Sequence, residues 1–235
     1  MAGLNRRLKA ATSRHAWPPS VPIDPVRLQH MPTQVPGAAG YGANASALAA
    51  QYESITFAEV HRDLIHLLPA PPAAVLDIGA GSGRDAAALA RRGHRVVAVE
   101  PTGELRREGK RLHGALAIDW VDDHLPTLHV LRQAKRRFDL VLLTAVWMHL
   151  DSLEREAAMD AVADLAADGG QVFMSLRHGP IPEGRRMFDV SADETTSLAA
   201  EHGLSCHHHS EREDMLGRSD VRWSFLAMRR RSRGL

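Results

Sequence analysis

The chain has 235 residues, 44% of them apolar, and 29 basic side chains nearly balance 28 acidic ones for a net charge of +1. That length and apolar share can bury one large core, and no apolar run reaches membrane-spanning length. A single cysteine, Cys206, excludes an internal disulfide and favours a reducing compartment. The amino end lacks the apolar core of a signal peptide, so a cytoplasmic location with no membrane partner is expected.

Residues 1–23 contain no acid, residues 17–40 are rich in proline and glycine, and Arg229-Arg230-Arg231 with Arg233 make a basic tail. Residues 1–40 therefore read as a basic arm, 41–230 as the folded domain and 231–235 as a tail. Solvated ends are the plain interpretation, and an electrostatic handle for RNA the sharper one. From Tyr41 to His66 a broken apolar stripe (Leu48, Tyr52, Ile55, Val60, Leu64) predicts helix.

The most informative stretch is Val75-Leu76-Asp77-Ile78-Gly79-Ala80-Gly81-Ser82-Gly83. It reads as a buried strand breaking into a glycine turn, with Arg84 opening a helix through Ala86–Ala90. Glycines let the backbone turn tightly and approach a ligand. A dinucleotide fingerprint wants glycines at the first, third and sixth places, and here the sixth is Arg84. Asp77, two residues upstream of Gly79, would repel a pyrophosphate but suits a cationic amino group.

A second strand, Arg95–Val99, ends in Glu100, an acid placed to accept both hydroxyls of a ribose. A third includes Ile118–Val121 and leads to Asp122-Asp123-His124-Leu125-Pro126. The fourth is Phe138–Leu143, followed by Thr144-Ala145-Val146-Trp147-Met148-His149-Leu150. A helix from Ser152 to about Ala167, stopped by Gly169-Gly170, precedes a fifth strand at Gln171–Leu176, with Arg177 and His178 at its end. Ser191 starts another helix that Gly203 closes, and Leu204–Ser210 and Val221–Met228 are the last two strands. Alternating strands and helices argue for an α/β fold.

The glycine turn with Asp77 upstream resembles motif I of the class I S-adenosyl-L-methionine (SAM) methyltransferases, and the resemblance runs from about Val75 to Met228. It implies a Rossmann-like, doubly wound, seven-stranded and mostly parallel sheet with a carboxyl-terminal antiparallel hairpin and an amino-terminal helical lid. It also implies SAM as cofactor, with S-adenosyl-L-homocysteine as product. SAM would lie against Asp77, Gly79, Ala80, Gly81, Gly83 and Arg84, with Glu100 and Pro101 at the ribose. Asp122 would reach the adenine, with Asp123 the alternative, and Thr144 and Ala145 would sit near the methyl group.

The fourth strand's tip looks like motif IV of the small-molecule branch; Thr144–Trp147 lacks the proline-proline-aromatic tetrad of DNA amino-methyltransferases. The expected activity is thus methyl transfer to O or N of a small molecule, with nucleic acid an unlikely partner. The alternatives are an RNA or protein methyltransferase recruited through the basic ends, or a SAM-binding regulatory protein without turnover. His149 and His178 are candidate bases, since histidine titrates near neutrality. Tyr41, Tyr52, Trp147 and Arg177 are candidate substrate contacts, and Arg177, Arg185 and Arg186 could pair with a carboxylate or phosphate. His207-His208-His209 would alternate faces on a strand, so no metal is expected.

Overall fold

A computed structural model describes residues 41–232. The predicted arm, the tip of the tail and their charges lie outside the described residues.

Seven strands form one sheet in the order β3-β2-β1-β4-β5-β7-β6. They are β1 (Ala74–Ile78), β2 (Arg95–Val99), β3 (Ile118–Val121), β4 (Phe138–Thr144), β5 (Ala166–His178), β6 (Leu204–Glu213) and β7 (Arg222–Arg230). The first five run parallel, and β7 pairs antiparallel with both β5 and β6. The helices are α1 (Ala45–Glu53), α2 (Phe57–Val60), α3 (Arg84–Arg91), α4 (Gly103–His113), α5 (His129–Gln133), α6 (Ser152–Leu165) and α7 (Ala192–Glu201). Among the described residues, no helix is long and apolar enough to cross a membrane.

All of β1 is buried, as a central parallel strand covered on both faces must be. Its side chains alternate between two cores. Ala74, Leu76 and Ile78 join Val141, Leu143 and the α6 residues Met159 and Val162. Val75 joins Leu140, Leu142, Phe57 of α2 and Leu89 of α3. Asp77 shares the second face and points toward α3. The chain leaves β1 for β2 and β3, then returns to β4 on the other side. The crevice between the carboxyl ends of β1 and β4 is therefore the topological switch point, where open α/β sheets bind ligands.

Two boundaries differ from the sequence expectation. The predicted helix between Tyr41 and His66 is broken, because Thr56 caps a new short helix: its Oγ1 accepts the N–H of Glu59, whose carboxylate accepts the N–H of Thr56. α6 opens on a similar box, Asp151 with Glu154, but ends at Leu165. Gly169-Gly170 do not stop it. They lie inside β5, where the pairing with β4 shifts register between Phe138 and Leu140.

Candidate active site

The residues at the switch point enclose a cavity of about 570 Å³. Its floor is the glycine turn. Gly81 sits at φ +56°, and a Cβ there would stand 3.2 Å from the Tyr52 ring, so a side chain would strain the backbone and crowd the lid. Gly83 caps α3 at φ +85°, but it does not line the cavity; a Cβ there would collide with Trp120 at 2.7 Å. Its contribution is packing of α3 near β3, and the expectation of direct ligand contact is corrected.

Asp77 is 2% exposed, and its Oδ2 accepts the N–H of Ala86 at 3.1 Å. Burial, with Asp85 beside it, pushes its carboxyl well above the usual range. Glu100, 5% exposed at the tip of β2, accepts the N–H of Gly81 (2.9 Å) and of Thr102 (2.8 Å). Burial raises its pKa as well. Both carboxylates face the cavity along with Gly79, Ala80, Arg84, Pro101, Thr144 and Ala145. Ala145, at φ +59°, is a non-glycine residue in left-handed backbone. Its N–H donates to Ser175 Oγ at 2.9 Å, which helps hold this strained turn at the end of β4.

Asp122 is elsewhere. It is exposed and ion-paired with Arg106, and it does not line the cavity. The neighbouring Asp123 is buried but spends its oxygens on the N–H groups of His124 and Leu131. The wall at this end is made instead by His124, Leu125 and Pro126.

The lid is real. Tyr41, Leu48, Gln51, Tyr52 and Ile55 cover the cavity, and Glu53 ties α1 to the floor by accepting from Ser82 Oγ at 2.7 Å. A second tie is buried below: His61 Nε2 meets Asp85 Oδ2 at 2.7 Å, Arg84 Nε meets Asp85 Oδ1 at 2.6 Å, and Thr144 Oγ1 donates to Asp85 at 2.8 Å. Burial opposes ionisation of Asp85, yet His61 and Arg84 hold it well below the usual carboxylate range. His61 and Asp85 were invisible as a pair in the sequence. One is a histidine among fourteen, the other an acid in the first turn of α3, and no local pattern joins them.

On the acceptor side, a 3-10 turn (Trp147–His149) follows β4. Three residues per turn send consecutive side chains about 120° apart. Trp147 therefore enters the core with no exposed surface, while Met148 and His149 reach the cavity. The predicted Trp147 substrate wall is corrected to a core role. His149 Nδ1 faces the carbonyl of Arg186 at 2.8 Å, which can only accept, so the proton sits on Nδ1. Nε2 then carries the lone pair and accepts from Tyr41 Oη at 3.2 Å. Burial, and the nearby Arg185 and Arg186 charges, lower the His149 pKa, so the ring is neutral at pH 7.

At the end of β5, alternation separates Arg177 from His178. Arg177 lines the cavity, while His178 faces a different hollow and meets Ser224 Oγ at 2.8 Å. His178 is thus corrected to a structural partner. Arg185, a predicted anion partner, lines the acceptor side, and unforeseen residues close it: Pro182 and Met187 from the loop after β5, and Asp214, Met215, Leu216, Arg218 and Trp223 around the β6–β7 turn. Among the described residues, no cluster of three or more histidine, cysteine or acidic side chains could hold a metal.

Comparison with known proteins agrees with this geometry. A family model described as a methyltransferase domain matches residues 48–213. A ubiquinone biosynthesis O-methyltransferase of Xylella fastidiosa (strain 9a5c) is 33% identical over 109 residues, 46% of this chain and 43% of that protein. The chain thus spans under half the length of this curated relative. The fold is shared with the N-methyltransferase NodS of Bradyrhizobium japonicum WM9 in complex with S-adenosyl-L-homocysteine (TM-score 0.61, 16% identity, 80% of this chain and 97% of that one). It is shared too with a TehB-like SAM-dependent methyltransferase of Corynebacterium glutamicum (TM-score 0.59, 19% identity, 78% and 97%). With the match covering well over half of its length, the chain belongs to the methyltransferase domain family, and it shares its fold with SAM-dependent methyltransferases.

Proposed function

We propose that this enzyme binds SAM in the switch-point cavity and methylates an O or N atom of a small molecule held under the lid. The observation that carries the reading is the joining of Glu100 to the glycine turn through Gly81 N–H, which puts a ribose acceptor and a close-approach backbone in one cavity. The residues fit the cofactor. Glu100 keeps lone pairs beyond its two backbone bonds, and a carboxylate can accept about four. Asp77 is an acid whose burial disfavours its charge, so a cationic amino group would be its natural complement. The walls near Pro101 and Leu125 are apolar, as an adenine face requires.

Bound SAM supplies an electrophilic methyl group on a sulfonium. The chain supplies position, dryness and a proton acceptor. α1 excludes water above the floor, and the lid and β4 tip fix the approach of the acceptor. His149, neutral with its lone pair on Nε2, takes the proton that the acceptor loses; Arg186 holds the ring by accepting at its carbonyl while its guanidinium pairs with Asp151 and Glu154. In this reading Tyr41 occupies the position from which an acceptor hydroxyl would address Nε2. The homologous O-methyltransferase region supports a small acceptor.

Calorimetry with SAM, S-adenosyl-L-homocysteine and NAD tests the reading. One SAM site per chain is expected, with no NAD binding, and Gly81→Val should abolish it because a branched side chain at φ +56° would meet Tyr52. Tight NAD binding with no response to SAM would overturn the assignment.

A further inference from the structure

We infer that Arg185 anchors a single carboxylate on an otherwise apolar acceptor, so that the substrate is a monoanionic, amphipathic small molecule. The inference rests on the methyl-transfer reading above and specifies its acceptor. Five arginines line the cavity: Arg84, Arg177, Arg185, Arg186 and Arg218. Arg84 pairs with Asp85, Arg186 with Asp151 and Glu154, and Arg218 with Asp214. Arg177 donates to the Gly179 carbonyl, lies between the charge of Arg218 and those of Asp214 and Asp220, and keeps its Nε buried without a partner. Arg185 differs from all four in having neither an acid nor a carbonyl as a side-chain partner. Among the described residues its side chain meets no acid and makes no hydrogen bond, and its Nη1 is buried without a partner.

The guanidinium sits over the Tyr41 ring, its central carbon 3.9 Å from the ring centroid. A cation–π contact takes up none of the group's N–H donors, and the guanidinium fork matches a planar carboxylate in two parallel hydrogen bonds. A buried N–H with no acceptor costs free energy that a bound anion would recover. One cation balances one negative charge. A doubly charged phosphate would carry an excess toward Glu154, which lines the same cavity.

The remaining wall defines the rest of the molecule. Met187 and Trp223 line the cavity, and Met215 and Leu216 are exposed at its edge by 40% and 44%. Such surface suits an aromatic or aliphatic body. Tyr41 also links the anchor to the base, since its ring carries Arg185 and its hydroxyl reaches His149 Nε2.

The test incubates the full chain with methyl-tritiated SAM and a deproteinised bacterial metabolite extract, then separates labelled products on an anion exchanger at neutral pH. Wild type, Arg185→Met and Arg185→Lys are compared, and each is titrated with S-adenosyl-L-homocysteine. The labelled product should be retained as an anion. Arg185→Met should cut its formation at limiting extract about tenfold or more, and Arg185→Lys should recover part of it. Homocysteine-nucleoside affinity should stay unchanged in both. A labelled product other than SAM itself in the neutral or cationic fraction, or full activity in Arg185→Met, would overturn the inference and leave methyl transfer standing. Weakened S-adenosyl-L-homocysteine binding in Arg185→Met would also overturn it, by giving the arginine to the cofactor's own carboxylate. No labelled product in any fraction would remove the methyl-transfer reading and this one with it.

Discussion

Glu100 Oε2 accepts the N–H of Gly81 at 2.9 Å, and through that bond the tip of β2 sets the position of the turn after β1. The two loops are nineteen residues apart in sequence and adjacent only because β1 and β2 are parallel neighbours. A single carboxylate therefore shapes the floor and presents its unused lone pairs to whatever lies on it.

Glu100→Ala should accordingly do two things. Loss of hydrogen bonds from a charged acceptor should weaken SAM by about 1.5–3 kcal/mol. The Gly81 and Thr102 N–H groups would lose their acceptor, so a small fall in stability should accompany it. Calorimetry and a denaturant titration separate the two; an unchanged SAM dissociation constant in a folded variant removes Glu100 from the ribose role.

Asp77 and Glu100 both have carboxyl pKa values raised by burial, Asp77 also by the neighbouring Asp85. A raised folded value means the protonated form is the better folded form. The associated stability is complete at acid pH and is lost as pH rises through the raised pKa. Asp77→Asn removes that penalty while keeping an acceptor for Ala86 N–H. Its ligand-free melting temperature should match or exceed wild type near pH 8, with the gap closing toward pH 4, and SAM binding should be lost. A variant that melts well below wild type at pH 8 would show that the fold stabilises the Asp77 charge, contrary to its surroundings.

The pH profile of turnover tests His149. Burial and the two arginines place its pKa below the ordinary 6.5, so kcat/KM should rise with pH and level off by neutrality. His149→Ala should lower turnover about 10²–10⁴-fold with SAM affinity intact. Tyr41→Phe should keep the base but lose its hydroxyl partner, a smaller effect. His178→Ala, in the other hollow, should turn over normally. If His149→Ala is also normal, transfer depends on positioning alone.

These sites differ in how legible they were. The glycine turn, Asp77 and Glu100 could be read from sequence because each chemical demand falls on residues close in the chain. The α/β class followed from alternation of strands and helices, and the seven-stranded sheet with its terminal hairpin from the family resemblance. Face was harder. Trp147 and His149 are two residues apart, and only the 3-10 geometry decides which enters the core. Arg177 and His178 are likewise divided by strand alternation. Partnership was hardest, since Arg185 on Tyr41 and His61 on Asp85 join segments 144 and 24 residues apart. No local pattern announces such pairs.

That last pair also sets the stability of the lid. His61 and Asp85 are each 3% exposed, and they join the end of α2 to the first turn of α3. Asp85 also neutralises Arg84 and accepts from Thr144 at the cavity floor. Removing the acid leaves two cationic or protonatable groups without their counter-charge, and breaking a buried pair from one side costs about 3–5 kcal/mol. Asp85→Ala should lose stability of that order in denaturant, whereas Thr144→Ala should lose only about 1 kcal/mol, the share of one hydrogen bond. Combining Asp85→Ala with His61→Ala should cost clearly less than the sum of the two single changes, because the second change removes a group already orphaned by the first. Strict additivity would mean that the 2.7 Å contact contributes no coupling, and that Phe57 and Val60 hold the lid by packing alone.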